Sequence, residues 1–435
     1  MKALTQEQLD GVLREMDVED VSRTTIRYCS AIAAELEKIA GEKYSHLEIG
    51  VPGLLACSVG IEAQKKALER GVASVYPPIY GVPELKQNGS RFVKAFLNTD
   101  INPKGIIPTT GSMQGAFTMA LQCGQLDPKK DTILFLCPGF PPHGRQPDVV
   151  GMKQVWFDLY KYRGEKLRAK MESCMAEGNI CAILYSNPNN PTWICLTEDE
   201  LKTIGSLADK YDAIVIEDLA YLCMDFRQDL SKPFEAPYQP TVSHYTDNYV
   251  LLISGSKIFS YAGERIAMAC ISDKLYKRDY PELRRRYDIG SFGDCFALIF
   301  LYISSSGTSH SAQYALAAML EAACDGRYDF VKEMREYGKR SKRSRDIFYK
   351  HGFHLVYDRD GDSPLSDGFF YTIEYKNLTN RQMMEGFLRC GLVAIALNTT
   401  GSDQDGLRIC VSRLNTEEDF QKLDEHLSLF TSLYE

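Results

Sequence analysis

The middle of the chain alternates short apolar runs with stretches of helical periodicity, and this alternation limits the possible folds more than any other feature. Each apolar run is typical of a strand that is buried on both faces, as in a parallel sheet. The runs occupy residues 106–110, 132–137, 180–185, 213–216 and 250–253. Helical segments lie between them, one at 112–121 and one that opens on a capping box at 197–200. The pattern predicts an α/β fold with three layers, in which helices cover a doubly wound, mostly parallel sheet.

The pattern changes after Gly307, where longer helical stretches replace the alternation. The predicted elements there are helices at 311–323 and 328–350, strands at 368–374 and 407–411, and a last helix from Thr416. Another helix is predicted near the N-terminus, at 22–40. We therefore expect two domains, a large one at 50–310 and a smaller α+β domain formed by 1–49 together with 311–435.

Composition and charge argue against several classes of protein. The 435 residues carry a formal net charge of −8, which does not favour nucleic acid as a partner. No apolar run reaches the roughly 18 residues of a membrane helix, and the first residues lack the apolar core of a signal peptide. The 13 cysteines form no Cys-x-x-Cys pair, so neither structural zinc nor a disulfide framework is expected. A reducing cytoplasm, with neither nucleic acid nor membrane as partner, is the simplest setting.

The apolar run at 250–253 ends in a polar cluster around Lys257. Ser254 and Ser256 precede the lysine, and Arg265 follows it by eight residues. Ligands bind at strand ends in α/β sheets, and a neighbouring guanidinium would lower the pKa of the lysine and free its amine as a nucleophile. The hydroxyls and Arg265 could hold a phosphate dianion, so the cluster suggests a pyridoxal phosphate Schiff base. Taken alone, the segment is better explained as a solvated lysine after a strand.

A second strand end carries Asp218, with Tyr221 three residues further on. A carboxylate at this place can keep a pyridine nitrogen protonated through a charge-assisted hydrogen bond, which makes the ring an electron sink. Tyr221 could donate a hydrogen bond to the phenolate oxygen of the ring. A helix N-cap that follows a strand would explain Asp218 by itself.

Three other turns at strand ends could contact the same ligand. Residues 187–192 read Asn-Pro-Asn-Asn-Pro-Thr, a rigid turn that could aim an amide at a ligand or serve only as a loop. The helix that begins near Ser112 offers a hydroxyl and free backbone N–H groups to a phosphate. Phe140, after Cys-Pro-Gly, could stack on a flat ring or belong to the core.

Together these motifs resemble a known family. Asn-Pro-x-Asn-Pro-Thr, then Asp-x-x-Tyr, then Ser-x-Ser-Lys with an arginine eight residues after the lysine, is similar to the class I and II aminotransferases. These enzymes are pyridoxal phosphate-dependent and have the fold called type I. The order and the spacing match over roughly residues 50–408, which is most of the chain. The resemblance therefore implies an α/β enzyme that transfers amino groups.

The resemblance also assigns roles at the cofactor. Lys257 would form the Schiff base and move the substrate's α-proton, and Asp218 would pair with the pyridine nitrogen. Asn190 and Tyr221 would contact the phenolate oxygen, and Phe140 would stack on the ring. The groups implied for the phosphate are Ser112, the N–H of Met113, Ser254 and Arg265.

A substrate site and a homodimer are implied in the same way. Tyr76 resembles the tyrosine that reaches the neighbouring subunit's phosphate, so two chains would share each active site. Gly50 and Arg408 match the positions that receive the substrate's α-carboxylate, and Asn190 is assigned to the substrate as well as to the ring. A planar guanidinium binds a carboxylate through two hydrogen bonds, a contact of roughly 1.5–3 kcal/mol.

Two departures from the family pattern bear on the substrate. The family usually has glycine after Asn-Pro-Thr, whereas Trp193 stands here and could redirect the loop or narrow the site. Residues 304–308 contain no arginine, although enzymes for dicarboxylic substrates carry a second one in this region. The arginines at 284–286 lie too far upstream and are expected on a solvated helix face. Phe140, Tyr76, Tyr80 and Trp193 instead offer aromatic walls, so we expect a neutral or aromatic amino donor.

The sequence thus predicts a cytoplasmic, homodimeric aminotransferase that acts on an amino acid and a 2-oxo acid by a ping-pong route through Lys257. One alternative is another pyridoxal phosphate reaction on the same fold, a β-elimination or a decarboxylation, because these motifs do not encode which bond breaks. The other is a non-catalytic cofactor-binding regulator. The roughly 49 residues before Gly50 are few and not basic, which does not favour a DNA-binding domain.

Overall fold

The computed structural model of the chain describes residues 2–435, which fold into two compact units. What we call the large unit comprises Leu54–Asn189 and Cys195–Met334. What we call the small unit comprises residues 2–53, Asn190–Ile194 and Arg335–Glu435.

A seven-stranded sheet forms the centre of the large unit. Five neighbouring strands run parallel, and Ala267–Ile271 is antiparallel to the strands on both of its sides. From edge to edge the strands are Ile106–Thr109, Ala267–Ile271, Tyr249–Ser254, Ile214–Asp218, Ile180–Ser186, Thr132–Cys137 and Lys153–Asp158. The prediction of an α/β fold with a mostly parallel sheet is confirmed.

Buried apolar side chains explain why these segments pair. Every residue of Thr132–Cys137, Ile180–Ser186 and Tyr249–Ser254 is buried, as expected for strands covered on both faces. The core that contains them includes Ala116 and Met119 of the helix that follows the first strand, both fully buried. The strand ends therefore project from a close-packed layer that has little freedom to move.

Helices connect the strands of the large unit. The longer ones are Ser58–Glu69, Pro83–Leu97, Gly111–Cys123, Pro141–Val150, Glu165–Met175, Glu198–Tyr211 and His310–Cys324. The shorter ones are Gly255–Ile258, Asp273–Lys277, Pro281–Tyr287, Phe292–Cys295 and Tyr302–Ser305, with a π-helical turn at Phe296–Leu301 and 3-10 turns at Val72–Ser74, Pro103–Gly105, Leu159–Tyr162, Val242–His244 and Ala262–Glu264. Across residues 2–435, none of the helices combines the length and the apolar composition needed to cross a membrane.

The small unit is built around a four-stranded antiparallel sheet. Its strands, in spatial order, are Ile395–Ala396, Leu407–Cys410, Phe370–Glu374 and His354–Leu355. Two further strand pairs join Ser45–His46 to Leu392–Val393 and Arg359–Asp360 to Ser363–Pro364. The helices are Gln6–Glu15, Ile26–Ala40, Asn380–Arg389 and Glu417–Ser432, with 3-10 turns at Val21–Arg23 and Leu397–Thr400. Helix Phe330–Lys350 has its first residues in the large unit and the others in the small unit.

The sequence pattern does not predict two strands of the large sheet. Lys153–Asp158 is an edge strand with polar and partly exposed residues, so it contains no apolar run. Ala267–Ile271 is fully buried but includes two alanines and a methionine, which favour helix by propensity. Pairing with neighbouring strands therefore decides both segments.

The predicted N-terminal helix starts later than expected, at Ile26, because Thr25 caps it.

The compact units and the predicted domains differ in residues 311–334, which group with the large unit, and in residues 50–53 and 190–194, which group with the small unit. Helix His310–Cys324 packs there against helices Ser58–Glu69 and Pro83–Leu97. Most of its residues are buried, and many of them are alanines, which allow close approach between helices. The sequence pattern therefore changes after Gly307 without a change of unit at that position.

Candidate active site

The lysine and the carboxylate singled out in the sequence lie at the ends of two adjacent parallel strands of the large unit. Strand Ile214–Asp218 ends at Asp218 and pairs with Tyr249–Ser254. The short helix Gly255–Ile258 follows the second strand at once and contains Lys257. The carboxyl ends of parallel strands share one edge of the sheet, and this is the edge at which open α/β sheets bind ligands.

Asp218 is a buried carboxylate with few donors around it. The residue is 5% exposed, and its side chain accepts a hydrogen bond from the N–H of Ala220 at 3.1 Å. His143 Nε2 lies 3.8 Å from Asp218 Oδ2, beyond hydrogen-bond distance. Burial raises the pKa of Asp218 to about 7 and lowers the pKa of His143 to about 4, so the imidazole is neutral near neutral pH. A cationic N–H donor placed here would stabilise the carboxylate.

Lys257 is half-buried in a helix that Ser254 caps. The Ser254 hydroxyl accepts a hydrogen bond from the N–H of Ser256 at 3.1 Å. Arg265 has a left-handed backbone with φ of +52°, and its Nη1 donates to the carbonyl of Ala262 at 3.0 Å and lies 3.5 Å from the Ser256 hydroxyl. That backbone conformation is uncommon for a residue other than glycine. The fold thus brings the Arg265 guanidinium to the serine that precedes Lys257.

The N-terminus of helix Gly111–Cys123 meets the same guanidinium. Gly111 has a φ of +72°, and a Cβ at this position would overlap the Arg265 side chain. The side chain of the N-cap residue, Thr110, does not cap the helix. The half-buried Ser112 and Met113 follow in the first turn. A guanidinium next to backbone N–H groups at a helix start suits a phosphate dianion.

Glu217 anchors the turn that contains the two Asn-Pro pairs. It is fully buried and accepts hydrogen bonds from the Thr241 hydroxyl at 2.6 Å, the Val242 N–H at 3.1 Å and Asn187 Nδ2 at 3.4 Å. Asn187 Oδ1 accepts from the N–H of Leu196 at 3.1 Å, which ties both ends of the turn together. Burial raises the pKa of Glu217 to about 7. This second carboxylate therefore fixes the turn.

In the small unit, the residues assigned to the substrate surround a buried guanidinium. Arg408 is 1% exposed and donates hydrogen bonds to Asn190 Oδ1 at 3.3 Å and to the backbone carbonyl of Glu48. The guanidinium carbon lies 4.6 Å from the centroid of the Phe370 ring. Gly50 borders the same ring, since a Cβ there would lie 3.0 Å from Phe370 Cζ. Arg408, Asn190 and Gly50 are therefore brought together by tertiary packing.

Three aromatic residues of the predicted site differ in exposure. Tyr221 is buried in the turn after Asp218. Phe140 is half-buried, and its ring meets His143 edge to face with a centroid distance of 5.3 Å. Tyr76 is 84% exposed and borders a surface cavity of about 580 Å³ together with His310. Tyr76 is the most exposed member of this group.

Comparison with known proteins decides the family. Residues 43–425 match the family Aminotransferase class I and II. The chain belongs to this family.

Among relatives, a probable aspartate aminotransferase of Methanocaldococcus jannaschii is 25% identical over 72% of this chain and 75% of its own length. An asparagine--oxo-acid transaminase of Streptococcus mutans is 24% identical over 83% of each chain. The aspartate aminotransferase from Thermus thermophilus with maleate superimposes with a TM-score of 0.74 at 19% identity, covering 99% of this chain and 100% of that chain. The structural likeness confirms the fold of the aminotransferase. The family is known to use pyridoxal phosphate.

Sequence reasoning about this aminotransferase misses three buried polar residues. His143 lies three positions after Phe140, and a histidine on the first turn after a strand is the signal that could have selected it. Glu217 directly precedes Asp218, so the alternation of a strand points it to the opposite face. Glu48 is fully buried and accepts from His46 Nδ1 and the Ser30 hydroxyl, each at 2.8 Å. Its position, two residues before Gly50, carries no motif.

Proposed function

We propose that this aminotransferase binds pyridoxal 5'-phosphate through Lys257 and moves an amino group from a neutral or aromatic amino acid to a 2-oxo acid. One observation carries the proposal: a lysine and a buried carboxylate lie at the ends of adjacent parallel strands, and the carboxylate lacks a charged donor among the groups described around it. The family to which the chain belongs supplies the reaction class.

The residues of the large unit suit the proposed cofactor. A protonated pyridine nitrogen is the cationic donor that the Asp218 carboxylate would accept from, and this bond would lower the raised pKa of that carboxyl. The start of helix Gly111–Cys123 and the Arg265 guanidinium suit the phosphate, and glycine at 111 is what allows them to approach. Ser112, Met113 and Ser254 are assigned to the same phosphate. Phe140 and Tyr221 are assigned to the ring, as is Asn190.

The roles of the protein groups follow from their chemistry. When bound, pyridoxal phosphate supplies an electron sink for the charge that is left as the substrate's α-proton departs. The Lys257 amine would hold the resting cofactor and, once the substrate's amino group has taken its place, would accept that proton. Asp218 keeps the ring nitrogen protonated. Arg408 binds the α-carboxylate with two parallel hydrogen bonds, and Asn190 orients the guanidinium by accepting from it.

A neutral donor is proposed because a second carboxylate would need a second cation. Residues 287–326 contain neither arginine nor lysine. A carboxylate that is buried without a partner costs several kcal/mol, and each ~1.4 kcal/mol lowers kcat/KM about tenfold. Arg284, Arg285 and Arg286 are exposed on helix Pro281–Tyr287, where Arg285 pairs with Glu282 at 2.7 Å. Some relatives are named for aspartate. The panel of amino donors described below separates a preference for a neutral donor from a preference for aspartate.

Two chains are proposed to form the working enzyme in the cytoplasm. The exposed Tyr76 and the cavity that it borders favour a second copy as the partner, whose phosphate Tyr76 would reach. Most of the 13 cysteines are buried, where they pack as small apolar side chains, and this suits a reducing compartment.

The test is a panel of amino donors with the purified enzyme and a common 2-oxo acid. We expect kcat/KM for tyrosine, phenylalanine or leucine to exceed that for aspartate by roughly tenfold or more. Lys257→Ala should abolish both turnover and the visible absorbance of the bound cofactor, while Lys274→Ala, at a lysine 77% exposed, should change neither. An active Lys257→Ala enzyme would overturn the assignment. Release of pyruvate or carbon dioxide in place of amino transfer would indicate one of the alternative reactions.

A further inference from the structure

Trp193 stands where the family pattern has glycine, and its backbone keeps the conformation that glycine favours. Its φ is +64°, in the left-handed region, which a bulky residue adopts at a cost in free energy. The side chain is nevertheless fully buried, so it is neither a wall open to solvent nor a surface substitution. Favourable packing of the indole must offset the backbone strain.

The indole packs inside the small unit against a glycine and a phenylalanine. A Cβ on Gly368 would overlap the five-membered ring of Trp193, so any other residue at 368 would displace the indole. Phe370, two residues later, meets the Trp193 ring edge to face at a centroid distance of 6.2 Å and an angle of 63°. Trp193 therefore packs against one side of the Phe370 ring.

The Phe370 ring in turn lies under the guanidinium of Arg408. The strand register pairs Phe370 with Cys410 and Thr372 with Arg408, so the side chains of Phe370 and Arg408 are diagonal neighbours on one face of the sheet. The guanidinium carbon is 4.6 Å from the ring centroid, which is a cation–π contact. A guanidinium is planar by itself, so a ring on one of its faces restricts how that plane can tilt.

A second connection runs through the backbone. Asn190 and Trp193 belong to the same five-residue segment, Asn190–Ile194, that groups with the small unit. Asn190 Oδ1 accepts a hydrogen bond from Arg408 Nη1 at 3.3 Å. Burial of Trp193 anchors this segment and so holds the amide that orients the guanidinium.

We propose that Trp193 is a positioning residue, which fixes the plane of the Arg408 guanidinium through Phe370 and Asn190 and thereby sets the preference of the enzyme for substrates with an α-carboxylate. The inference rests on the proposed function, in which Arg408 binds that carboxylate. Trp193 itself touches neither substrate nor cofactor in this account. It acts by removing alternative orientations of Arg408.

Calorimetry of the holoenzyme with two unreactive probes tests the inference. 3-Phenylpropanoate carries the carboxylate, and 3-phenylpropanamide has the same shape without the charge. We expect Trp193→Gly to weaken binding of the acid by roughly three- to thirty-fold, the range of a cation–π contact, and to leave binding of the amide unchanged. Trp193→Phe should recover part of the loss. Trp156→Phe is the matched control, because Trp156 is the other tryptophan of the chain and is 47% exposed on the edge strand.

Kinetics give a second readout. Trp193→Gly should raise KM for phenylalanine more than it lowers kcat, and should leave the slow reaction of 2-phenylethylamine unchanged. Phe370→Leu removes the aromatic face while Trp193 stays, so it should give the same selective loss and keep the test valid if Trp193→Gly does not fold. Circular dichroism and the visible cofactor spectrum check folding in every variant.

The two proposals fail in different ways. If the wild-type enzyme transfers amino groups but Trp193→Gly and Phe370→Leu weaken acid and amide equally, or weaken neither, the positioning role is overturned and the function stands. If the wild type binds acid and amide equally, Arg408 does not read the carboxylate and the inference also falls. If the wild type acts on no amino acid, the proposed function fails, whatever the calorimetry shows.

Discussion

The buried carboxylate of Asp218 should make the stability of the cofactor-free protein depend on pH in a way that Asp218→Asn removes. In the folded chain, burial raises the pKa of Asp218 from its ordinary 3.8 to about 7. Between these values the folded state holds a proton that the unfolded state has released, so the free energy of unfolding falls as the pH rises. The contribution is fully present below about pH 4 and is lost as the pH passes through 7.

The size of the effect follows from the shift. About three pKa units at roughly 1.4 kcal/mol each correspond to a loss of about 4 kcal/mol between pH 4 and pH 7. His143 acts in the opposite direction, because burial lowers its pKa to about 4 and its contribution therefore grows as the pH rises from 4 to about 6.5. Both proteins contain His143, so the difference between wild type and Asp218→Asn isolates the carboxylate.

Urea unfolding at several pH values, followed by circular dichroism after the cofactor has been removed, measures this difference. We expect the wild type to be the more pH-sensitive protein between pH 4 and 7. Glu217→Gln is the matched control, since burial also raises the pKa of Glu217 to about 7, from 4.5, although its hydrogen bonds fix a turn. It should flatten the pH dependence likewise, but only Asp218→Asn should weaken cofactor binding and slow turnover by orders of magnitude.

Parallel curves for wild type and Asp218→Asn over this range would refute the reasoning, because they would show that the carboxyl titrates alike in the folded and the unfolded chain. Bound cofactor should act against this pH dependence in the wild type. A ring N–H⁺ donor lowers the pKa of Asp218, so the stabilisation by cofactor should grow from pH 4 to pH 7 more steeply in the wild type than in Asp218→Asn, where only the ionisation of the phosphate remains.

Two further predictions concern the phosphate and the partner chain. Gly111→Ala should weaken cofactor binding at least tenfold (~1.4 kcal/mol), because its Cβ would overlap Arg265. Gly151 has the same left-handed backbone with open space around it, so Gly151→Ala should cost only backbone strain. Equal cofactor affinities of the two variants by fluorescence titration would exclude the clash. Sedimentation should show a dimer. Tyr76→Phe should leave the dimer intact and weaken cofactor binding about fivefold, the loss of roughly one hydrogen bond, with Tyr302→Phe, at a tyrosine 50% exposed, as control. A fully active monomer would contradict the shared site.

Much of the large unit could be predicted from the sequence because its signals are local. A run such as Tyr249–Ser254 is apolar throughout, so burial on both faces is written into consecutive residues. The lysine and carboxylate follow such runs directly, and the rule that ligands bind at the carboxyl ends of parallel strands then selects Lys257 and Asp218. The edge strand Lys153–Asp158 was not predicted because polar residues interrupt its apolar pattern. Only its pairing with Thr132–Cys137 makes it a strand.

What the sequence by itself determined is therefore the α/β class, the family and the residues that follow the strand runs, since strand runs and motifs are each patterns of a few consecutive residues whose order can be read along the chain. Only the tertiary structure decided how far the pKa values of those residues are shifted and which side chains pack behind them. The raised pKa of Asp218 comes from burial by many distant residues. The packing of Trp193 on Phe370, and of Phe370 under Arg408, joins segments far apart in the chain, and Trp193 fits only because Gly368 has no side chain. Such complementarity is a property of the packed interior and leaves no local pattern in the sequence.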